Sequence, residues 1–396
     1  MQLSLKFVTG LLLASSAAFA SQGDVEVDLH RRNSLISTGN QLNIEALSQH
    51  LKIVNNKYQT ALNNFKRNMG SDHPLLSLLL GNDISKRAGG QGSLSLTDVQ
   101  NEQLWAGQVS FGGQKFGIDF DTGSSDTLAN PSAYNPKKSS SAKNTHKTFS
   151  ASYGDGTTAK GTIYTDNLSI AGLSGTDVAI GHSTTTFIEG EDPSEGIAGL
   201  GFPAIQTFPT QYKPFFFQLK SQKAVKSGVF QFTLKSGKGS TLTLGGIDTS
   251  KYKGSVTYVD VDPSKGFWLT NAKVNGQSIK AIIDSGSTVI TGPSSQVRSV
   301  VSKIKGLTPF TQDGVLMYYY NCNLSPSVTF NIGGTDFKLG KNQLSYGTTN
   351  TGKCVLPIVG QDGMPLNAWI VGDTFFQGVS IIFDTDKNRM GFATQA

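Results

Sequence analysis

Two short strings with the same pattern carry the clearest chemical signal in this chain. They read Asp-Thr-Gly-Ser-Ser at 121–125 and Asp-Ser-Gly-Ser-Thr at 284–288, and each follows an apolar, strand-like run. A single string of this kind is an ordinary turn sequence. Two copies indicate a duplicated unit that brings the carboxyl groups of Asp121 and Asp284 together.

Two adjacent carboxyl groups predict acid–base chemistry. Both cannot ionise easily within a few ångströms of each other, so one keeps a proton while the other is charged. The charged member can take a proton from water and the neutral member can donate one to a carbonyl oxygen, a combination that suits hydrolysis at a carbonyl group. Because such a pair titrates as a unit, the sequence leaves open which aspartate holds the proton.

A second repeated string supports two related halves. Each aspartate string is followed, after a similar interval, by two apolar residues and a glycine, within 195–200 and again within 368–373. Glycine at these positions lets one stretch of backbone pass close to another. The paired repeats therefore predict two similar lobes.

The composition and periodicity after residue 95 are those of a β protein. Short runs that suit strands, such as 240–244 and 255–261, are separated by turn residues. Helical patterns are few: 210–221 and 294–304 are the candidates there, and 42–69 is a helix-tolerant stretch nearer the N-terminus. We expect a mostly β fold.

With these strings the chain resembles the pepsin-like aspartic peptidases, in particular the secreted fungal type, over nearly all of residues 95–396. Further ordered matches lie at 153–157, 242–252, 266–268, 370–376 and 383–392. The resemblance implies a bilobal pepsin-like fold, with two β-rich lobes related by a pseudo-twofold axis and the active-site cleft between them. It implies an N-terminal lobe with a flap over 88–260, a C-terminal lobe over 261–396, and no cofactor or metal.

The resemblance makes Asp121 and Asp284 the catalytic pair of an aspartic-type endopeptidase that works at acidic pH with an activated water. In that family the shared proton of the pair is well established. The three residues after each aspartate support it: one hydroxyl ties the two loops together, glycine allows the tight turn, and a second hydroxyl stabilises the charged carboxylate. These residues are Thr122, Gly123 and Ser124 in the first string and Ser285, Gly286 and Ser287 in the second.

Tyr153, Gly154 and Asp155 match the flap that closes over the substrate in this family. In fungal relatives an acidic flap tip accompanies tolerance for lysine before the scissile bond, so Asp155 is expected either to pair with such a lysine or to serve only the turn. One departure is Leu128, where the family usually has a tryptophan whose indole N–H bonds the flap tyrosine. Leucine has no such donor, which leaves flap mobility and the shape of the subsite open.

The first 87 residues predict a secreted zymogen. Residues 1–20 carry a positive start, an apolar core and a small-residue cleavage site, as a signal peptide does. Residues 21–87 predict an activation propeptide that ends at Lys86 and Arg87, just before a glycine-rich segment that a protease can reach. Cleavage there, autocatalysis in acid, or both remain open. The resemblance implies a basic residue that pairs with the aspartates until acid weakens the contact; the candidates are Lys52, Lys57, Lys66 and Arg67.

Cys322 and Cys354 are the two cysteines of the chain. A secretory signal predicts that they form a disulfide, and the resembling family has a bridge in the same region. Asn167 and Asn323 begin N-glycosylation sequons, each a short signal that also occurs by chance.

The net charge and the sequence motifs limit the classes of partner that we expect. The formal net charge of +6 is a mild excess without a basic cluster around aromatic residues, so nucleic acid is not expected as a partner. No membrane partner is expected either, because the apolar core of the leader is too short to favour a span. The expected partners of a monomer are protein and peptide substrates, its own propeptide as an inhibitor, and pepstatin-type inhibitors.

Alternatives remain beside a secreted endopeptidase. A catalytically silent pepsin-fold binding protein would keep the fold without the reaction, although such relatives usually lose an aspartate or a motif glycine, which this chain retains. A metal- or serine-dependent hydrolase would need a motif such as His-Glu-x-x-His or Gly-x-Ser-x-Gly, which the sequence lacks. An acidic vacuole is the alternative to the extracellular medium.

Overall fold

The computed structural model describes residues 25–31, 40–76, 105–152, 158–188, 194–236 and 239–396. Strands dominate these ranges and build two lobes, which confirms the predicted mostly β, bilobal pepsin-like fold. The predicted signal peptide, the predicted cleavage site and the predicted flap tip lie outside the described ranges: residues 1–20, Lys86 and Arg87, and Tyr153, Gly154 and Asp155.

Thirteen strands of the described ranges form one long sheet, which includes strands from the middle and the end of the chain. In spatial order they are β11 (Tyr252–Asp260), β23 (Arg389–Gln395), β22 (Val379–Asp384), β9 (Val229–Thr233), β10 (Ser240–Leu244), β1 (Val25–Arg31), β2 (Trp105–Phe111), β3 (Gln114–Asp121), β8 (Ser194–Gly199), β4 (Thr127–Ala129), β7 (Leu173–Ser183), β6 (Thr158–Ile170) and β5 (Lys143–Ser152). The last two strands of the chain thus return to pair with β9 and β11. The lobe boundaries at 88–260 and 261–396 stay a prediction.

The second lobe is built on a second sheet of ten strands within the described ranges. In spatial order they are β15 (Leu307–Gln312), β16 (Val315–Tyr320), β20 (Ile358–Gln361), β14 (Ile290–Gly292), β21 (Trp369–Val371), β13 (Gln277–Ile283), β12 (Leu269–Val274), β17 (Val328–Ile332) and β18 (Thr335–Leu339), with β19 (Cys354–Val355) paired to β16. A disulfide joins Cys322, just after β16, to Cys354 in β19, as the sequence predicted.

The two lobes repeat one arrangement of strands. In the first lobe β3 pairs parallel with β8, β8 antiparallel with β4, and β4 parallel with β7. In the second lobe the strands β13, β21, β14 and β20 follow the same order of parallel, antiparallel and parallel pairs. The duplicated strings therefore belong to a duplicated piece of sheet, and each aspartate string follows the equivalent strand.

Four α-helices lie in the described ranges: α1 (Ile44–Met69), α2 (Phe215–Ser221), α3 (Ser294–Val301) and α4 (Asp373–Phe376). α1 begins where the Asn43 side chain accepts a hydrogen bond from the backbone N–H of Ala46, and ends at Gly70 with a left-handed backbone. No helix in the described part of the chain is long and apolar enough to cross a membrane.

α1 packs its apolar side along the cleft. Its first half places Leu47 and Leu51 in a buried cluster with Val289 and other residues of the second lobe. Its second half places Tyr58 and Phe65 in another cluster, where the lining includes both Ile205 of the first lobe and Phe267. Tertiary burial of this kind, rather than intrinsic propensity, is the usual source of helix stability. The helix is therefore docked against both lobes at the place where they meet.

Candidate active site

Both motif aspartates lie at the ends of equivalent strands. Asp121 is the last residue of β3, and Asp284 follows β13 directly. Their side chains are buried, with 4% and 0% of the residue surface exposed. The neighbouring strands fix the backbone, because the Leu200 N–H donates to the Asp121 carbonyl at 2.8 Å and the Asp284 N–H donates to the Val371 carbonyl at 3.1 Å.

The first hydroxyl of each string ties the two loops together. Thr122 Oγ1 donates to the Ile283 carbonyl at 2.9 Å and accepts from the Ser285 N–H at 3.0 Å. Ser285 Oγ donates to the Phe120 carbonyl at 2.7 Å and accepts from the Thr122 N–H at 3.1 Å. These four reciprocal hydrogen bonds hold the aspartate loops in a fixed relation across the boundary between the lobes.

The motif glycines leave room for the opposite carboxyl group. The Gly123 N–H donates to Asp121 Oδ1 at 2.8 Å, and the Gly286 N–H donates to Asp284 Oδ1 at 3.0 Å. A Cβ atom on Gly123 would collide with the carboxylate of Asp284, and one on Gly286 would collide with that of Asp121. The two carboxyl groups therefore lie next to each other, each against the glycine of the other loop.

The glycines of the second repeat also permit close backbone contact. A Cβ atom on Gly199 would lie 2.5 Å from the backbone of Ser125, and one on Gly372 would collide with the carbonyl of Ser287. Each of these glycines thus passes directly beneath an aspartate loop. Any side chain there would displace the loop and, with it, the carboxyl group that the loop carries.

The second hydroxyls of the two strings differ. Ser287 Oγ donates to Asp284 Oδ2 at 2.5 Å, which is the support that the resemblance implied. Ser124 Oγ is buried and makes no hydrogen bond of good geometry within the described residues. It still lies close enough to Asp121 to lower the pKa of that carboxyl slightly, as the last of several causes.

Helix α1 inserts a lysine between the two carboxyl groups. Lys57 Nζ lies 3.1 Å from Asp121 Oδ1, 2.9 Å from Asp284 Oδ2 and 3.0 Å from Asp284 Oδ1. The next residue, Tyr58, donates its hydroxyl to Asp284 Oδ2 at 2.9 Å. His50, two turns earlier, accepts the Thr288 N–H at Nε2 over 3.2 Å. The sequence did not single out Tyr58 or His50, although both share the buried side of α1 with the lysine.

The other basic candidates lie elsewhere on the helix. Lys52 is exposed. Lys66 pairs with Asp72 at 3.1 Å on the surface. Arg67 donates to the carbonyls of Gln206 and Thr207 in the first lobe. Of the four candidates, Lys57 is the one that reaches the aspartates.

The surroundings move the two aspartate pKa values apart. Burial raises the pKa of Asp121, and the nearby Asp284 charge adds to this, while the Lys57 charge opposes it; the net pKa is raised. Burial also disfavours the charged form of Asp284, but the Lys57 charge and the hydrogen bonds from Asp121, Ser287 and Lys57 outweigh it and lower its pKa. For Lys57, burial is outweighed by the two carboxylates, which raise its pKa. With α1 in place, Asp284 is therefore the charged member of the pair.

A third acid lies behind the pair. Asp373 opens α4 directly after Gly372, is fully buried, and neither of its carboxyl oxygens has a hydrogen-bond partner in the described part of the chain. Burial, and next the charge of Asp284, raise its pKa well above the ordinary value, so it is neutral beside the pair. Asp373 directly follows the second apolar–apolar–glycine string, and this position could have predicted that it lies near Asp284. We did not draw that inference from the sequence.

A cavity of about 60 Å³ remains between α1 and the first lobe, beside Asp121. Leu128, Ile197 and Ile205 supply apolar wall, and Asp126 and Thr207 supply polar atoms. Leu128 also packs with the buried ring of Phe149. The position where the family usually has tryptophan thus faces this cavity.

Asn167 and Asn323, the two sequon asparagines, are exposed. Their glycosylation stays a prediction. Groups of three or more metal-binding side chains do not occur among the described residues.

Comparison with known proteins assigns the chain to a family. The family model described as eukaryotic aspartyl protease matches residues 104–395. The chain is 50% identical to secreted aspartyl protease 1 of Malassezia globosa over 395 residues, which is 99% of each chain. It is 39% identical to an aspartic protease of Phaffia rhodozyma, over 78% of this chain and 80% of the relative.

A third relative carries a different name. A probable inactive secreted aspartyl protease of Malassezia globosa is 30% identical over the full length of both chains. Identity to this relative is therefore lower than to the two proteases above, whose names do not mark them as inactive. The chain belongs to the eukaryotic aspartyl protease family, which confirms the resemblance and the prediction of an aspartic-type endopeptidase.

Proposed function

We propose that this chain is the precursor of a secreted aspartic endopeptidase that hydrolyses peptide bonds in proteins at acidic pH through Asp121 and Asp284. The observation that supports this most directly is the adjacency of the two carboxyl groups, each against the glycine of the other loop, with their pKa values shifted in opposite directions. A pair of this kind contains both a base and an acid at one pH.

The proposed reaction uses the pair on one water molecule. Asp284, supported by the Ser287 hydroxyl and the Gly286 N–H, is the better holder of negative charge and takes the proton from water. Asp121 is the neutral member and donates its proton to the carbonyl oxygen of the scissile bond. The oxygen of the water bonds to the carbonyl carbon to give a tetrahedral species with two hydroxyl groups. The proton that Asp284 took from water then passes to the amide nitrogen as the C–N bond breaks and the amine leaves. One hydroxyl of the tetrahedral species returns its proton to Asp121, which restores both aspartates. The hydroxyl ties of Thr122 and Ser285 keep the two groups at a constant separation.

We propose further that residues 21–87 keep the enzyme latent. Lys57 and Tyr58 contact the carboxyl oxygens to which water and the substrate must bind, so a docked α1 and a productive substrate exclude each other. The helix is buried along the cleft by its apolar side, which makes it a tethered inhibitor at high effective concentration.

Acid weakens the contact of Lys57 with the pair. The pKa of Asp284 is lowered by its partners, so the stabilisation it gives to the docked helix is present above its ordinary pKa and is lost as the pH falls through the lowered value. The raised pKa of Asp121 acts in the opposite sense, since its neutral form is favoured at low pH. Release of α1 on acidification follows from the loss of the Asp284 charge.

Secretion and the substrate class are part of the same proposal. Two of the relatives are named as secreted proteases, and residues 1–20 have the pattern of a signal peptide. The enzyme is proposed to act as a monomer on protein and peptide substrates and to be inhibited by pepstatin-type compounds.

A catalytically silent binding protein is the second candidate, because one full-length relative is named as probably inactive. The retention of both aspartates and both motif glycines favours the enzyme. The two candidates are separated by turnover.

The experiment starts from the full-length chain secreted by an expression host. Acidified protein is assayed on denatured haemoglobin and casein at several pH values, with and without pepstatin, beside Asp121→Asn and Asp284→Asn. Each amide variant should lose at least about a hundredfold in rate, since acid–base catalysis contributes roughly 10²- to 10⁴-fold per group. Asp262→Asn, an exposed aspartate in a short turn, is the matched control and should keep the parent rate. A folded parent without turnover at any pH, or an amide variant as fast as the parent, would contradict the proposal.

A further inference from the structure

One loop of the first lobe presents consecutive carbonyl oxygens to α1. The carbonyl row, defined as the backbone carbonyls of residues 204–207, begins within the short turn Pro203–Ile205. Asn68 Nδ2 donates to the carbonyl of Ala204 at 3.2 Å, and Asn64 Nδ2 donates to that of Ile205 at 3.2 Å. Polar side chains from the second half of α1 thus satisfy acceptors that the first lobe leaves facing the cleft.

Arg67 is the charged donor to this row. Its Nη2 donates to the carbonyl of Gln206 at 2.8 Å and to that of Thr207 at 3.1 Å. A guanidinium group is a fixed fork of donors that suits neighbouring acceptors. The end of the carbonyl row is therefore occupied by a basic side chain whenever α1 is docked.

A carboxylate stands on the other side of the same loop. Asp126 accepts the N–H of Thr207 at 2.5 Å and that of Phe208 at 3.0 Å. It lies five residues after Asp121 and, together with Thr207, lines the cavity that reaches Asp121. The carbonyl row thus faces α1, with two of its members bonded to Arg67, while the N–H groups of Thr207 and Phe208 are directed toward Asp126.

The surroundings of Asp126 combine a burial cost with a nearby cation. Burial raises the pKa of Asp126 and outweighs the hydrogen bonds from Phe208 and Thr207 and the charge of Arg67, so the net pKa is raised while α1 is docked. Removal of α1 exposes the carboxylate to water, reduces the cost of burial and leaves the carbonyl row without its three side-chain donors. Acceptors next to a carboxylate, in a cleft that binds extended peptides, are completed by a basic side chain of the peptide.

We propose that the carbonyl row and Asp126 form a substrate subsite for arginine or lysine, which Arg67 occupies in the precursor. The inference rests on the proposed function, because it assigns a specificity to that same cleft. Arginine and lysine are both expected to bind, since a single nitrogen, Nη2 of Arg67, donates to both carbonyls in the precursor and a lysine ammonium also carries several donors. Lys57 and Arg67 are ten residues apart on one helix, about 15 Å of axial rise. An extended peptide rises about 3.3 Å per residue, so the basic residue lies within about five residues of the scissile bond.

The test measures specificity in the acid-activated full-length enzyme. Peptides that differ only by arginine or citrulline, an uncharged isostere, are compared at each position around a common cleavage site. At one position on one side of the scissile bond, kcat/KM should be about tenfold higher for arginine, as expected for a hydrogen bond to a charged group. An equal kcat/KM for arginine and citrulline at every position overturns the subsite.

Variants locate the effect. Asp126→Asn should reduce cleavage of the arginine peptide more than that of the citrulline peptide, so that their ratio falls to about threefold or less. Asp262→Asn should leave the ratio at the parent value. An unchanged ratio in a folded Asp126→Asn enzyme overturns the role of Asp126. If that variant does not fold, the comparison of arginine with citrulline in the parent still decides the proposal.

The precursor offers a second, independent readout. Arg67→Gln should speed acid activation several-fold, whereas Lys66→Gln, which alters only a surface pair with Asp72, should not. Equal rates for the two variants count against occupation of the subsite by Arg67. A parent that cleaves no peptide at all contradicts the proposed function, while cleavage without a basic preference contradicts only the subsite.

Discussion

The loop that carries Asp121 and the loop that carries Asp284 have the same backbone hydrogen bonds but different surroundings. In each, the motif glycine donates to its own aspartate and the first hydroxyl crosses to the other loop. The second loop adds the Ser287 hydroxyl, the Tyr58 hydroxyl and two oxygens within reach of Lys57. A duplicated motif thus sets the positions of two carboxyl groups, and a few side chains around it decide which one is charged.

The strongest contrast should appear in the docking of α1. Asp284→Asn removes the charge that Lys57 and Tyr58 contact most closely, whereas Asp121→Asn removes a single contact. Breaking one partner of a buried ion pair costs about 3–5 kcal/mol. In the precursor at neutral pH, Asp284→Asn should therefore lower the hydrogen-exchange protection of α1 at least about tenfold more than Asp121→Asn. Equal protection in the two variants would remove the asymmetry on which the comparison rests.

The second hydroxyls of the two strings, those of Ser124 and Ser287, provide the next contrast. Ser287→Ala removes a charge-assisted hydrogen bond worth about 1.5–3 kcal/mol, so kcat/KM at acid pH should fall about 10- to 100-fold. Its acid limb should also move to higher pH, because the pKa of Asp284 is no longer lowered by Ser287. Ser124→Ala should change kcat/KM less than about threefold, since Ser124 makes no such bond. The pH profile of kcat/KM is measured for both variants. Similar changes in the two profiles would contradict the predicted difference between the two serines.

The first hydroxyls of the two strings, those of Thr122 and Ser285, should have similar effects on stability. Thr122→Val and Ser285→Ala each remove one donor and one acceptor from the reciprocal tie and leave buried backbone groups unpaired. Each should lower the free energy of unfolding by about 1–3 kcal/mol, measured by denaturant titration of the precursor. Thr257→Val, whose hydroxyl bonds Thr335 on the surface, is the control and should have little effect. A large difference between the two buried variants would show that the tie is not symmetric.

The smallest effect concerns the end of the docked segment. His73, which follows α1, accepts the Leu75 N–H and donates to the carbonyl of Lys265. Burial lowers the pKa of His73. The hydrogen bond to the Lys265 carbonyl opposes this shift and the charge of the Lys265 side chain adds to it, so the net pKa is lowered. Since the docked state holds it neutral, docking weakens as the pH falls below the ordinary value of 6.5 toward the lowered one. As the pH falls, the hydrogen-exchange protection of residues 70–76 should thus decline before Lys57 loses its contact with Asp121 and Asp284. His73→Gln should make this decline less steep.

Local pattern predicted the parts of the site that lie within one stretch of chain. The strand ends and the tight turns at the motif glycines follow from residue type and spacing, whereas the crossing hydroxyls were expected from the family resemblance. Ser124 and Ser287 occupy the same motif position, so their difference depends on rotamers and neighbours that a motif does not contain. Lys57 could not be chosen among four basic residues, because the choice depends on how α1 lies across two lobes.

Contacts between segments far apart in the chain were the other features that the sequence could not predict. The return of β22 and β23 to the first sheet, and the neutral state of Asp373, both result from contacts between segments far apart in the chain. The helical segments were nearly located, since 294–304 and 42–69 contain α3 and α1, whereas 210–221 is helical only over Phe215–Ser221.

The position of β1 has a consequence for maturation. This strand pairs with β10 over five residues and with β2 at its end, so it lies inside the long sheet and not at its border. Cleavage after Arg87 would remove it and expose unpaired N–H and C=O groups on both neighbours, a known hazard for aggregation. If the proposed cleavage takes place, another length of polypeptide would have to pair with β10 and β2 in place of β1, so that maturation would rebuild the sheet as well as open the cleft.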